Sequence, residues 1–140
     1  MAFVGEQKVM GYRSQVVLAL DAKIVPAFMA MFAKNEEAQK LCTVHIDTLD
    51  TDYQGEGNWL MVWEGIKWYQ SYPDVGPVVK FIEALNLDDL SEYGMKEIEA
   101  SDGHGCDEYF KFCRVGEDYN DIESDGWAFD DIAVQREISF

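Results

Sequence analysis

Residues 14–20 read SQVVLAL, and the last five of them are all apolar. A strand with one face in water alternates apolar and polar residues, whereas an uninterrupted apolar run indicates a strand that is covered on both faces. We therefore predict that this segment is a central strand of a sheet.

Two longer segments carry apolar residues at helical spacing. The first, residues 25–41, has Pro26 in its first turn, where a missing N–H is tolerated. The second, residues 75–85, follows Asp74, whose carboxylate suits the positive end of a helix. We predict one helix in each segment.

The other regular segments predict strands. They read TVHIDTL (43–49), WLMVWEGI (59–66), EYFKFCRV (108–115) and IAVQREISF (132–140). In the last segment, apolar residues alternate with polar ones, which is typical of a strand with one solvated face. The order β-α-β-β-α-β-β is the split βαβ, or ferredoxin-like, pattern, and we expect the added C-terminal strand to extend one edge of the sheet. We predict a single α+β domain over residues 10–140, preceded by a flexible arm at residues 1–9.

The charge of the chain is strongly negative and unevenly distributed. The formal net charge is −16, with +1 in residues 1–46 and −17 in residues 47–140. Nucleic acid and anionic membranes are poor ligands for such a surface, because both are bound through Lys and Arg. A basic partner is favoured instead, since opposite charge accelerates its association.

The number of cysteines is an indication of the cellular compartment in which the protein is located. The chain has three cysteines, no recognisable signal peptide and no apolar run long enough to span a bilayer. An odd number of cysteines favours a reducing compartment. We predict a cytoplasmic location.

The sequence FCRVGEDYNDIESDGW (112–127) concentrates the acidic residues Glu117, Asp118, Asp121, Glu123 and Asp125. Three interpretations compete: a site for a divalent cation, a catalytic pair of carboxylates, and a contact surface for a basic partner. The stretch lacks the glycine turn and donor order of a calcium loop. The chain also lacks a G-x-S-x-G elbow, a phosphate loop and an H-E-x-x-H motif, so we predict neither catalytic residues nor a cofactor.

A zinc site is the other metal hypothesis. Cys42 and His45 could join His104 and Cys106 as four ligands. The spacing of the second pair is unusual for zinc and no C-x-x-C motif is present, which disfavours the site. Cys113 lies in a predicted strand and is interpreted as a core thiol.

The sequence IKWYQSYPDV (66–75) provides a second candidate contact region. Lys67, Trp68, Tyr69 and Tyr72 place aromatic area between a strand and a helix, and Trp and Tyr are enriched in binding hot spots. The alternative is that these rings cap the core. Arg13, just before the first strand, is expected near the acidic stretch, where it would form a bidentate pair with a carboxylate or remain an ordinary surface charge.

The phrases MGYRSQVVLAL, IKWYQSYPDV, FKFCRVGEDYNDIE and VQREISF, in this order, resemble a group of small acidic proteins encoded by tailed bacteriophages. The resemblance covers residues 10–140. It implies a phage origin and assigns no catalytic residue. With that origin, the cytoplasm predicted from the cysteines is that of the host cell. Small acidic phage proteins often disable host machinery, and some imitate DNA by spacing carboxylates like phosphates.

Together these features predict a non-enzymatic inhibitor that binds a host defence or nucleic-acid-handling protein, of the anti-CRISPR or anti-restriction type. The acids of residues 88–125, thirteen against three Lys or Arg, would contact a basic groove. The alternative is a small-molecule- or metal-binding protein that uses Arg13, Lys67 and the loop from Glu117 to Glu123. A structural module that forms a homodimer through its C-terminal strand is a third class.

Overall fold

The strand β1 (Ser14–Leu20) lies at the centre of a five-stranded antiparallel sheet, which confirms the prediction from its apolar run. The computed structural model describes residues 12–95, 105–134 and 138–139, so the predicted arm at residues 1–9 lies outside the described residues. From edge to edge the strands are β2 (Thr48–Tyr53), β3 (Asn58–Ile66), β1, β4 (Phe110–Val115) and β5 (Ile122–Asp125).

Three helices cover one face of this sheet: α1 (Val25–Lys34), α2 (Glu36–Thr43) and α3 (Val75–Asn86). The prediction of one helix over residues 25–41 is wrong at Asn35, which has a non-helical backbone. The Asn35 side chain donates to the Met31 carbonyl at 2.9 Å and so replaces a backbone partner at the end of α1. The predicted second helix is present, and the Asp74 carboxylate accepts the Val75 N–H at 2.9 Å.

The sheet is apolar on both faces because its strands alternate between two cores. Met61 and Trp63 of β3 point toward the helices, whereas Leu60 and Val62 point to the opposite face. Trp63 is fully buried, and its indole N–H donates to the Leu41 carbonyl of α2 at 3.0 Å. This bond satisfies a buried donor that would otherwise destabilise the core.

The C-terminal segment covers the second face of the sheet. The short strands β6 (Ala133–Val134) and β7 (Ile138–Ser139) pair only with each other within the described residues, and the five-stranded sheet does not include them. Ile132 and Ile138 are buried there against β1, β3 and β4. The predicted edge position of this segment is therefore wrong. The described apolar residues Ile132 and Ile138 are buried, but they cover the second face of the sheet and do not extend its edge.

The strand that extends the edge is β5, which was read from the sequence as part of a loop. Most of its residues are exposed, so it carries no apolar alternation. The opposite edge, β2, is also largely exposed and carries Asp50 and Asp52. Charged residues on outer strands hinder pairing with the edge of another sheet.

Candidate partner-binding surface

The acid-rich stretch divides into a turn and a strand. Residues 116–121 reverse the chain after β4, and the Gly116 N–H donates to the Asp121 carbonyl at 2.8 Å. The chain then returns as β5, with Glu123 opposite Arg114 and Asp125 opposite Phe112. Directly opposite residues lie on the same face of a sheet, so these carboxylates lie on the helix-covered side.

Arg114 neutralises two of the five predicted contact carboxylates. Its side chain is only 11% exposed and donates to Asp121 and, through Nε at 3.0 Å and Nη2 at 2.8 Å, to Glu123. Nη1 also donates to the Ser14 hydroxyl at 2.9 Å. Burial alone would lower the pKa of Arg114, but the hydrogen bonds to the two carboxylates outweigh it and raise the pKa. The guanidinium in turn holds the pKa of Asp121 below its usual value.

The turn is also fastened to the residues that precede β1. The Tyr12 hydroxyl donates to Asp121 Oδ2 at 2.5 Å and accepts the Asp118 N–H at 2.9 Å. Glu117 accepts the backbone N–H of Arg13 at 2.7 Å. Glu117 and Asp121 therefore hold the fold through their carboxylates, and Asp118 does so through its backbone.

Arg13 lies near the acidic stretch, as expected, but its guanidinium makes a different contact. Its Nη1 donates to the Gly65 carbonyl at 2.9 Å, and the arginine that spans two carboxylates is Arg114. Of the two alternatives for Arg13, the bidentate pair is the one that the structure contradicts, because the register of β4 and β5 places Arg114 opposite Glu123. Arg13 is exposed.

Asp125, at the end of β5, has a different environment from Asp121. It is half-buried and lines a cavity of about 220 Å³ between α3, β4, β5 and residues 68–70. Burial raises the pKa of Asp125, and the charges of Glu123 and Asp107 raise it further against a hydrogen bond from Asn86. The lining consists of Trp68, Gln70, Val79, Ile82, Glu83, Asn86, Phe112, Glu123 and Asp125.

The aromatic residues of IKWYQSYPDV do not form one surface. The Trp68 ring lies 5.4 Å from that of Trp63 and 6.1 Å from that of Phe112, so it closes the core and also lines the cavity beside Asp125. The Tyr69 hydroxyl donates to the Tyr12 carbonyl at 3.1 Å.

The other two residues of that region line a second hollow. It has a volume of about 270 Å³, and its lining includes Lys67, Tyr72, Arg13 and His45. Asp47 and Asp74 also lie there, and each accepts a backbone N–H. Six of the ten predicted contact residues therefore line one of two separate depressions. The other four, Glu117, Asp118, Asp121 and Tyr69, line neither of them.

Three exposed apolar residues that the sequence analysis missed lie in β5 or within three residues of it. Tyr119 is 74% exposed, Trp127 44% and Ile122 42%. We call these three residues, with Glu123 and Asp125, the β5 surface. Tyr119 and Trp127 lie within the acidic stretch quoted above, so the mixture of aromatic and acidic residues was the available signal. Glu83 and Asn86 were missed because only the tertiary fold brings α3 to β5.

The cysteines are free and buried in the described structure. Burial raises the pKa of Cys42 to about 12 and that of Cys106 to about 12, which opposes the thiolate form that binds zinc. His104 lies outside the described residues. Among residues 12–95, 105–134 and 138–139, no group of three or more His, Cys, Asp or Glu is placed to hold a metal ion. Cys113 is fully buried, as its interpretation as a core thiol requires.

Comparisons of the chain with protein families, curated proteins and solved structures found no significant match. None of the helices in the described part of the chain combines the length and apolar character needed to cross a bilayer.

Proposed function

We propose that this chain is a non-enzymatic protein that binds a basic surface of another protein through the β5 surface. The observation that carries the proposal is the combination of Tyr119, Ile122 and Trp127, all substantially exposed, with carboxylates on the same short hairpin. Exposed aromatic side chains supply binding energy in interfaces, while charge sets the association rate and excludes wrong partners. An acidic loop without these aromatic rings would carry charge but would have no apolar anchor.

In its specific form, the proposal is a phage-encoded inhibitor of a host defence or nucleic-acid-handling protein, acting in the cytoplasm of the host cell. The net charge of −16 and the resemblance to small acidic phage proteins support it. Alternate residues of a strand lie about 6.8 Å apart, whereas a duplex carries one charge per 1.7 Å or so of its axis. Because β5 alone is less densely charged than DNA, imitation of DNA would also involve the other acids of residues 88–125.

We also infer a ferredoxin-like arrangement for the four strands β1 to β4. The supporting observations are that β1 lies between β3 and β4, that β2 pairs with β3, and that helices connect β1 to β2 and β3 to β4. In this arrangement β5 is the added edge strand, and the C-terminal segment is a cover for the second face.

The first experiment identifies the partner. The tagged full-length protein is incubated at low salt with lysate of the bacterial host, and bound proteins are eluted with a salt gradient. We expect a basic protein whose measured affinity falls at least tenfold between about 0.05 M and about 0.5 M NaCl, because salt screens exposed charges. An affinity that does not change with salt contradicts the proposal.

Variants then test which acids make the contact. Neutralising Asp121 would disturb the fold, since Asp121 hydrogen-bonds both Arg114 and the Tyr12 hydroxyl. The informative variant is therefore Glu123→Gln with Trp127→Ala, which changes two exposed residues of the β5 surface. The matched control, Glu56→Gln with Val44→Ala, likewise changes one exposed charge and one exposed apolar residue, but near the opposite edge. The proposal predicts a loss of affinity for the first variant of at least tenfold and a small change for the control; equal losses contradict it.

The alternative is a small-molecule-binding protein. It is favoured by the second hollow, where Arg13, Lys67 and His45 gather although the chain has few cations. A divalent ion in the loop from Glu117 to Glu123 would have to displace the Arg114 guanidinium. Native mass spectrometry of protein purified without chelator would support this alternative if it showed a bound anion or metal at one per chain.

The third class, a homodimer, has a weaker basis. Both outer edges of the sheet carry carboxylates, so pairing of two copies through the same edge places like charges together. Light scattering over a range of concentrations tests this class directly, and we expect a monomer.

A further inference from the structure

The cavity beside Asp125 combines one aromatic and apolar wall with one acidic wall. Val79 and Ile82 of α3 join Trp68 and Phe112 on the apolar side. Glu83, Glu123 and Asp125 supply carboxylates, and the part of the lining that belongs to the described residues contains no Lys, Arg or His. The cavity is therefore shaped to receive a group that is apolar along its length and positively charged at its end.

The carboxylates of this cavity are only partly neutralised by the protein itself. Arg114 contacts Glu123 from outside the lining, and the Gln70 amide donates to Glu83 at 3.4 Å. Asp125 receives a hydrogen bond from Asn86, yet burial and the neighbouring acids still raise its pKa. Negative charge held in a partly desolvated concave site attracts a cation more strongly than the same charge on an open surface.

The size of the cavity selects between classes of cationic ligand. Pockets for drug-sized molecules measure roughly 300–1,000 Å³, and this cavity is smaller, at about 220 Å³. A single side chain is therefore a better match than a nucleotide or a large cofactor. The Trp68 ring is held in place by its contacts with Trp63 and Phe112, so it offers a fixed surface for stacking.

Arginine fits this lining better than lysine. Its planar guanidinium stacks on an aromatic ring and presents five donors at once, whereas lysine offers a compact and strongly hydrated charge. The carboxylates of Glu83 and Asp125 and the amide oxygens of Gln70 and Asn86 provide several acceptors around one cavity.

We propose that the cavity lined by Trp68, Glu83 and Asp125 binds one arginine side chain of the basic partner. This inference rests on the proposed function and adds the residue type that the partner must present. The cavity is the anchor for that arginine, and two residues of the β5 surface, Glu123 and Asp125, form part of its lining.

The test uses the full chain labelled with ¹⁵N and titrated with N-acetyl-arginine N-methylamide. We expect chemical-shift changes at the Trp68 indole N–H and at the side-chain amides of Gln70 and Asn86. The citrulline analogue has nearly the same shape without the charge, and we expect it to bind at least tenfold more weakly. The lysine analogue should bind more weakly than arginine. Equal binding of the citrulline analogue, or shifts spread over all acidic surfaces, would overturn the inference.

Two variants locate the site within the protein. Asp125→Asn keeps the shape of the cavity and removes a charge, so we expect about a tenfold loss of affinity for the arginine analogue. Asp130→Asn removes an exposed charge nearby in sequence and outside the lining, and its affinity should be unchanged. If both variants lose affinity equally, the analogue responds to net charge alone and the inference is wrong.

A titration of the Asp125 carboxyl provides a readout independent of affinity. Bound guanidinium should lower its pKa, while the pKa of a carboxyl outside the cavity stays constant. The failure of this inference is distinct from that of the proposed function. A salt-sensitive basic partner whose binding survives Asp125→Asn would refute only the arginine anchor, whereas arginine binding without any basic partner would refute only the proposed function.

Discussion

Asp121 and Asp125 lie four residues apart on one hairpin, and the fold shifts their pKa values in opposite directions. Asp121 contacts Arg114 and the Tyr12 hydroxyl, and the Arg114 guanidinium lowers its pKa. Asp125 lies at the wall of a cavity with other acids, and burial raises its pKa. The comparison shows that a cluster of like charges in the sequence divides into carboxylates that hold the fold and carboxylates that remain available to a ligand.

Among the substitutions that test this comparison, removal of Arg114 should lower the free energy of unfolding most. In Arg114→Met, Asp121 and Glu123 lose their cation while remaining close together, and we expect a loss of about 3 kcal/mol in the free energy of unfolding, measured in urea. Lys111→Met on the same strand is the control, because Lys111 donates to a backbone carbonyl, that of Gly126, at 3.4 Å. Similar losses for both variants would show that Arg114 has no special role.

Gly116→Ala should disturb the same cluster without altering any charge. A Cβ at this position would collide with the Asp121 carboxylate and the Tyr12 hydroxyl. We expect the free energy of unfolding to fall by about 2 kcal/mol, as it does at other overpacked sites. Gly65→Ala is the control, since the nearest atom to its added Cβ is Arg13 Cδ at 4.0 Å. A stable Gly116→Ala protein would mean that the cluster adjusts freely.

The two aspartates should give opposite results when each is replaced by asparagine. The folded pKa of Asp121 is below its ordinary value of 3.8, so its stabilisation is present above that pH and is lost as the pH falls through the folded pKa. Asp121→Asn should therefore lower the free energy of unfolding by about 1.5 kcal/mol at pH 7, and by less in acid.

The folded pKa of Asp125 lies above 3.8, so its ionisation destabilises the fold at neutral pH, and this penalty disappears as the pH falls toward 3.8. Asp125→Asn should be slightly more stable than the natural chain at pH 7 and equal to it in acid. Urea unfolding at several pH values measures both variants. Parallel pH profiles for the two would contradict the comparison.

Glu123→Gln should have the smallest effect. Glu123 bonds the same guanidinium as Asp121, but its side chain is 52% exposed, so water and salt screen the pair. We expect the free energy of unfolding to fall by about 0.5 kcal/mol, and this loss should vanish in high salt. A cost equal to that of Asp121→Asn would show that exposure does not separate the two carboxylates.

Much of the fold could be predicted where burial leaves a pattern in the chain. The apolar run of β1 predicted its central position, the alternation in β3 predicted two covered faces, and Asp74 marked the start of α3. The edge strand β5 could not be predicted from such a pattern because neither of its faces is fully buried. The C-terminal segment was misplaced because its alternation is the same whether it pairs at an edge or packs on a face.

The sequence could predict which residue types the candidate site contains, but not how they are arranged in space. The sequence identified the acidic stretch and Trp68, but it did not indicate that Trp68 and Asp125 line one cavity with Glu83 of α3. It offered a bidentate contact only as one alternative for Arg13 and did not identify Arg114, because spacing along the chain does not give the register between strands.

The sequence by itself determined that this chain is acidic, that its central strand is buried on both faces and that its charge lies after residue 46. These properties follow from residue types and their local period. Only the tertiary structure decided which carboxylates are neutralised. The register of β4 against β5 placed Glu123 opposite Arg114, with Asp121 within reach of the same guanidinium, and placed Asp125 opposite Phe112 at the edge of the core. Electrostatic energy depends on distance and burial, and neither is fixed until distant segments pack together.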